Sequence, residues 1–161
     1  MNRSAPRILV LGLGNTILSD DGIGIYAVRL LRELLEPDEP IDVKEAELGG
    51  FALVDLLEGY DACVLLDAFE GGCLPGELRV LELDAFAPTA RLAAGHQIDL
   101  PTAIELGRTT GRQMPQRIAI VAVQVGDSRT LGESCTAPVQ AAIEPAARRA
   151  LELARSFADE V

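Results

Sequence analysis

The chain has 161 residues, 48% of them hydrophobic, and its 25 acidic against 14 basic side chains give a formal net charge of −11. That is the length of one ordinary domain, residues 1–161, with room for a core, and it is too apolar for a disordered chain. The charge repels nucleic acid and anionic lipid, and no apolar run approaches the roughly 18 residues of a membrane span, so neither is expected as a partner.

"RILVLG" (7–12) reads as a strand buried on both faces. It is too short for the core of a signal peptide, and no cleavage pattern follows it. From Asp21 to about Leu35, Ile23, Ala27, Leu30, Leu31 and Leu34 keep helical spacing, and "PDEP" (37–40) stops that helix. "IDVKEA" (41–46) alternates like a half-buried strand. Gly49 and Gly50 open a short helix over roughly 51–58. "ACVLLDA" (62–68) is a second buried strand, "GGCLPG" (71–76) a turn cluster, and "ELRVLEL" (77–83) an outer strand. After a loop to "AGHQ", Leu100, Ala103, Ile104 and Gly107 define a helix that tolerates Pro101 in its first turn. "RIAIVAV" (117–123) is a further strand. A last helix carries Val139, Ala142, Ile143, Ala146, Ala147, Ala150 and Leu151 on one stripe. The three cysteines, Cys63, Cys73 and Cys135, are odd in number and lack CxxC spacing, which fits packing roles in a reducing cytoplasm.

Strands alternating with helices indicate an α/β sandwich around a mostly parallel sheet, with helices on both faces. Ligands of such folds sit beyond the carboxyl ends of the strands, which directs attention to the loops after residues 12, 67 and 123. The first of these, "GLGNTI" (12–17), has G-x-G but Ile17 where a dinucleotide fingerprint needs its third glycine, and it lacks the Walker lysine. Asp20 and Asp21 follow at the helix start, where backbone N–H groups would otherwise receive an anion. One acid suffices as a helix N-cap, so the second is left to explain. Asp67 ends its strand after four apolar residues. If buried, it needs a hydrogen bond, a partner or a metal, although it could also reach the amides of its own loop. His96 is the chain's only histidine. A lone histidine is ordinarily structural unless acids converge on it.

The reaction classes narrow from there. One histidine excludes H-E-x-x-H and three-histidine zinc sites, and G-x-S-x-G does not occur. What remains is two carboxylates and one imidazole on three separate loops. These oxygen and nitrogen donors suit a divalent transition metal with positions left open, and donor type alone does not choose between nickel and zinc.

"ILVLGLGNTILSDDGIG" (8–24), "LLDAFEGG" (65–72), "GHQIDL" (95–100) and "APVQAAIEP" (137–145) together resemble the hydrogenase maturation endopeptidases, in order and spacing from about residue 7 to residue 147. The resemblance implies a three-layer αβα sandwich around a mostly parallel five-stranded sheet. It implies a cytoplasmic, aspartic-type endopeptidase that removes a C-terminal extension from the precursor of a nickel-iron hydrogenase large subunit after nickel insertion, and a monomer is expected for a processing enzyme of this size. Carried over, the family's metal-binding and catalytic positions fall on Asp21, Asp67 and His96. The nickel would be supplied by the substrate rather than held permanently. Two positions depart from the pattern: Asp21 stands where many members have Glu, and Val125-Gly126 where relatives often have Pro-Glu. The water of hydrolysis could be activated by a carboxylate or by the metal. A non-enzymatic nickel-binding assembly factor for the same precursor is the alternative from another class, and a dinucleotide-binding module is a weaker one.

Overall fold

A computed structural model of the chain describes residues 5–47, 51–82 and 100–160. Five strands form one sheet: β1 (Ile8–Leu13), β2 (Ile41–Ala46), β3 (Ala62–Phe69), β4 (Leu78–Glu82) and β5 (Arg117–Gln124). Their spatial order is β2-β1-β3-β5-β4. β1, β2, β3 and β5 run parallel, and β4 closes one edge antiparallel to β5. The helices are α1 (Ile23–Leu34), α2 (Ala52–Leu57), α3 (Leu100–Thr109), α4 (Ala137–Gln140) and α5 (Ile143–Glu160). Gly49 and Gly50 lie outside the described residues.

Strand alternation divides the core in two. Ile8 and Val10 of β1 with Val64 and Leu66 of β3 face one side, against Val28 and Leu31 of α1 and Ala147 and Leu151 of α5. Leu9 and Leu11 with Cys63 and Leu65 face the other, against Leu57 of α2 and Ala103 and Ile104 of α3. β1 and β3 are buried at every position, as expected for central strands covered by helices on both sides. The α/β class and the three layers agree with the pattern read from the sequence.

Two boundaries differ. The first helix does not begin as an α-helix at Asp21. A single 3-10 turn, Ser19–Gly22, precedes α1, and no side chain caps either element. The stripe after Thr136 is two helices, not one. Pro145 has no N–H to give the Ala141 carbonyl, so the ladder breaks and α5 starts afresh at Ile143.

The chain leaves β1 toward β2 on one side, while β3 lies on the other side of β1. This reversal is the switch point at which sheets of this kind open a crevice at their carboxyl edge. α3 ends beside the opposite edge: the chain just past it sends Gln116 N–H to the Asp61 carbonyl, next to the first residue of β3. At about 1.5 Å per residue, its first residue, Leu100, is carried back toward the carboxyl edge.

Candidate active site

Three glycines bring the start of α1 down onto the sheet. A Cβ on Gly24 would overlap the carbonyl oxygens of Leu13 and Leu66, and one on Gly12 would overlap the Gly24 carbonyl and Val28. A Cβ on Gly14 would overlap the Asp21 carbonyl, and its φ of +154° is one that L-residues rarely adopt. The glycines that fail as a phosphate loop are therefore close-approach positions. They let the 3-10 turn sit directly over the ends of β1 and β3.

Asp21 is delivered by that turn and Asp67 by β3. The pairing of β1 with β3 ends at Gly12 and Leu66, so Asp67 is the first β3 residue beyond it, next to Ala122 of β5. Both carboxylates are buried, Asp21 at 4% and Asp67 at 1% exposure. Asp67 Oδ1 accepts the Ala68 N–H at 2.8 Å, while Asp67 Oδ2 and Asp21 Oδ1 have no hydrogen-bond partner among the described residues. One oxygen of Asp67 thus serves its own loop, and the other is left over. Glu39 Oε2 is also unpartnered, but its carboxylate is ion-paired with Arg155. Among the described residues neither Asp21 nor Asp67 pairs with a Lys or Arg.

The electrostatics follow. Burial pushes the Asp67 carboxyl well above the ordinary range. The Ala68 amide offsets part of that, and the Asp21 charge adds to it. Burial likewise raises Asp21, against the Asn15 amide and with the help of the Glu70 charge. Two close carboxylates in a dry site, each with an idle oxygen, call for a proton or a cation.

The remaining candidates resolve unevenly. His96 lies outside the described residues, four positions before Leu100 in the sequence. Among the described residues no group of three metal-capable side chains forms. Cys63, Cys73 and Cys135 are free. Burial raises the Cys63 thiol strongly and pushes Cys135 up to about 11, so neither is a ready thiolate nucleophile.

Asp20 is not the idle neighbour that a helix-start role would make it. It is fully buried and turns away from the Asp21–Asp67 pair to accept four donors from the segment after β5. Gln124, also buried, accepts the Gly71 N–H at its side-chain oxygen and donates to the Val125 carbonyl, steadying the chain beyond β3. Sequence reasoning passed over Gln124, although it follows an apolar run at the end of β5 much as Asp67 follows one within β3, a strand that continues past Asp67 to Phe69.

Known proteins share this arrangement of strands and helices. The family model for hydrogenase maturation proteases (HycI) matches residues 25–153. The chain is 31% identical over 152 residues to the hydrogenase expression/formation protein HoxM of Azotobacter vinelandii, covering 92% of this chain and 72% of that one. It is 28% identical to the hydrogenase 2 maturation protease of Escherichia coli K12, covering 92% of this chain and 91% of that one. Among solved structures, the hydrogenase maturating endopeptidase HybD from E. coli superposes with a TM-score of 0.74 at 27% identity, over 94% of this chain and 93% of that one. With the family model spanning most of its length, the chain belongs to the hydrogenase maturation protease family and is a peptidase.

Proposed function

We propose that this chain removes the C-terminal extension of a nickel-iron hydrogenase large-subunit precursor after nickel insertion, and that it reads the substrate's nickel through Asp21, Asp67 and His96. The observation that carries the reading is the pair of buried, neighbouring carboxylates with one unpartnered oxygen each at the switch point of the sheet. Oxygen donors of this kind, completed by an imidazole, suit a divalent transition metal and leave positions open to the substrate's own ligands. α3 starts on the side of the carboxyl edge, and the sequence places His96 just ahead of it. The nickel is cargo of the substrate. It tethers the scissile segment beside the peptidase and raises its effective concentration. A precursor without nickel lacks the anchor and is spared, which is specificity through an interaction that only the correct substrate offers.

The chain's own contribution to hydrolysis is carboxylate chemistry. With its affinity for protons raised by burial, Asp67 or Asp21 can take a proton from the attacking water and return it to the leaving amine. Membership of a protease family weighs against the non-enzymatic assembly factor. We place the protein in the cytoplasm as a monomer. Among the described residues no helix is long and apolar enough to cross a membrane.

The test is to incubate nickel-loaded and nickel-free precursor with the wild type and with D21A, D67A and H96A, and to follow the mass of the large subunit. The wild type should shorten only the loaded precursor, and each variant should lose activity by roughly 100-fold or more. Equal cleavage of both precursors by the wild type would overturn the nickel reading, and full activity in all three variants would overturn the site.

A further inference from the structure

The acid beside Asp21 has an arrangement that the reaction above does not use. Asp20 Oδ2 accepts the Gly126 and Asp127 N–H groups at 2.9 Å each. Asp20 Oδ1 accepts the Thr136 N–H at 2.6 Å, and the Thr136 hydroxyl lies within hydrogen-bond distance of both oxygens, at 3.0 and 2.9 Å. The Asp20 N–H returns a bond to the Asp127 carbonyl at 2.9 Å. Every one of these partners lies between residues 126 and 136, and none lies on α1. Asp127 in turn folds its own segment, accepting the Arg129 and Thr130 amides. Immediately before Asp20, Ser19 sits at φ 42°, a left-handed conformation that a serine holds only under constraint. Its N–H and hydroxyl are both bonded to the same segment, at the Gly132 and Ser134 carbonyls. Among the described residues Asp21 Oδ1, by contrast, has no partner, so the placing of Asp21 falls largely to the backbone of its turn and of Asn15.

We propose that Asp20 is a positioning residue: by fastening the 3-10 turn to the loop after β5 and to Thr136, it holds Ser19 in its left-handed conformation and thereby aims the Asp21 carboxylate at Asp67. This rests on the reading that Asp21 meets the substrate's nickel. If Asp20 loses its donors, Ser19 relaxes toward an ordinary backbone conformation and the next residue turns with it. Residues that orient a ligand without touching the metal govern affinity through geometry. The signature is therefore a loss of nickel binding and of turnover beyond what lost stability explains.

The experiment uses the full chain with D20N, an isostere with only one acceptor oxygen, and T136V, which removes only the hydroxyl. L151A, a core truncation in α5, serves as a control that lowers the melting temperature without touching the clamp. Three readouts are taken: Ni²⁺ binding by calorimetry, kcat and KM on nickel-loaded precursor, and thermal melting. D20N should weaken Ni²⁺ binding and lower kcat by about tenfold or more, and T136V should move both in the same direction by about threefold. T136S should restore the wild-type values, and L151A should keep both within about twofold despite an equal or greater loss of melting temperature. The proposal is overturned if D20N and T136V stay within about twofold of the wild type, or if L151A loses as much as they do. Should D20N fail to fold, T136V against T136S decides. If the wild type cleaves loaded and nickel-free precursor equally, the nickel reading fails by itself, and the kcat comparison still decides for or against Asp20.

Discussion

Asp20 and Asp21 are adjacent, chemically identical and both buried, yet one is saturated with donors and the other has an idle oxygen. A buried carboxylate that accepts four donors stabilises the fold it organises, whereas one left with an unpartnered oxygen weakens it. Asp67 belongs to the second kind, and the sign of its pH dependence follows. Its folded-state pKa lies above the unfolded one because burial penalises the charge. The folded state therefore holds the proton more tightly. Stability is greatest below the unfolded pKa and is lost as pH rises through the folded pKa. In chelator-treated protein, D67N should melt above the wild type near pH 8, by roughly 2–4 °C for each kcal/mol recovered. That gap should shrink on acidification and close only toward about pH 3, below the ordinary Asp value, where the wild-type carboxyl is largely protonated in the unfolded state as well as in the folded one. Calorimetric melting across the range checks it. A gap that widened toward acid would mean that Asp67 is stabilised as a carboxylate and that the site is not the source of strain described here.

The elements that matter most for the site are β1, the turn after it and the first turn of α1, and their fit is set by glycines. Gly24 touches the Leu13 and Leu66 carbonyls so closely that any side chain there must lift α1 off the sheet. G24A is therefore expected to destabilise the protein by about 1–3 kcal/mol, as overpacking does. It should also separate Asp21 from Asp67, so that cleavage of loaded precursor falls further than the stability loss explains. Denaturant unfolding alongside precursor cleavage measures both, and a G24A protein with wild-type stability and turnover would refute the close-approach account. The glycines of "LGLGNTILSDDGIG" are legible in the sequence as a failed phosphate loop, but their purpose as close-approach positions is not. Which atoms a glycine must clear depends on the crossing of α1 over β1 and β3, and one segment of sequence does not contain its partners. The strands and α1 were legible because buried central strands and an amphipathic helix write their period into consecutive residues. The break between α4 and α5 was signalled by Pro145, and the strong apolar stripe on both sides of it hid the signal.

At the scale of the whole molecule, the switch point of the sheet collects what the sequence scatters. Asp67 was legible as an acid after an apolar run, although its strand continues to Phe69, and the partition between Asp20 and Asp21 was not. The donors that occupy Asp20 lie more than a hundred residues away, and no periodicity connects "SDD" with Thr136. The same long-range joint shapes the surface that a precursor would meet. Leu18 bridges to Gly132, and the Gly132 N–H donates to the Ile17 carbonyl. This short ribbon at the border of the Asp21 turn leaves Ile17 53% and Leu131 76% exposed. Large apolar side chains held out on a fixed ribbon beside a reactive site give a protein substrate area to bury, whereas elsewhere such exposure would only cost solubility. The double variant I17E/L131D should therefore raise KM for the loaded precursor by about tenfold, the order of one lost apolar anchor. It should leave Ni²⁺ binding and kcat at saturating precursor near wild type, because both side chains are exposed while the carboxylates are buried. Stability should stay within about 0.5 kcal/mol, since exposed positions contribute little to the core. Steady-state kinetics with thermal melting separate the outcomes. An unchanged KM would mean that the precursor approaches from another side of the crevice, and a fall in kcat alone would mean that the ribbon acts on the catalytic turn instead of on the substrate.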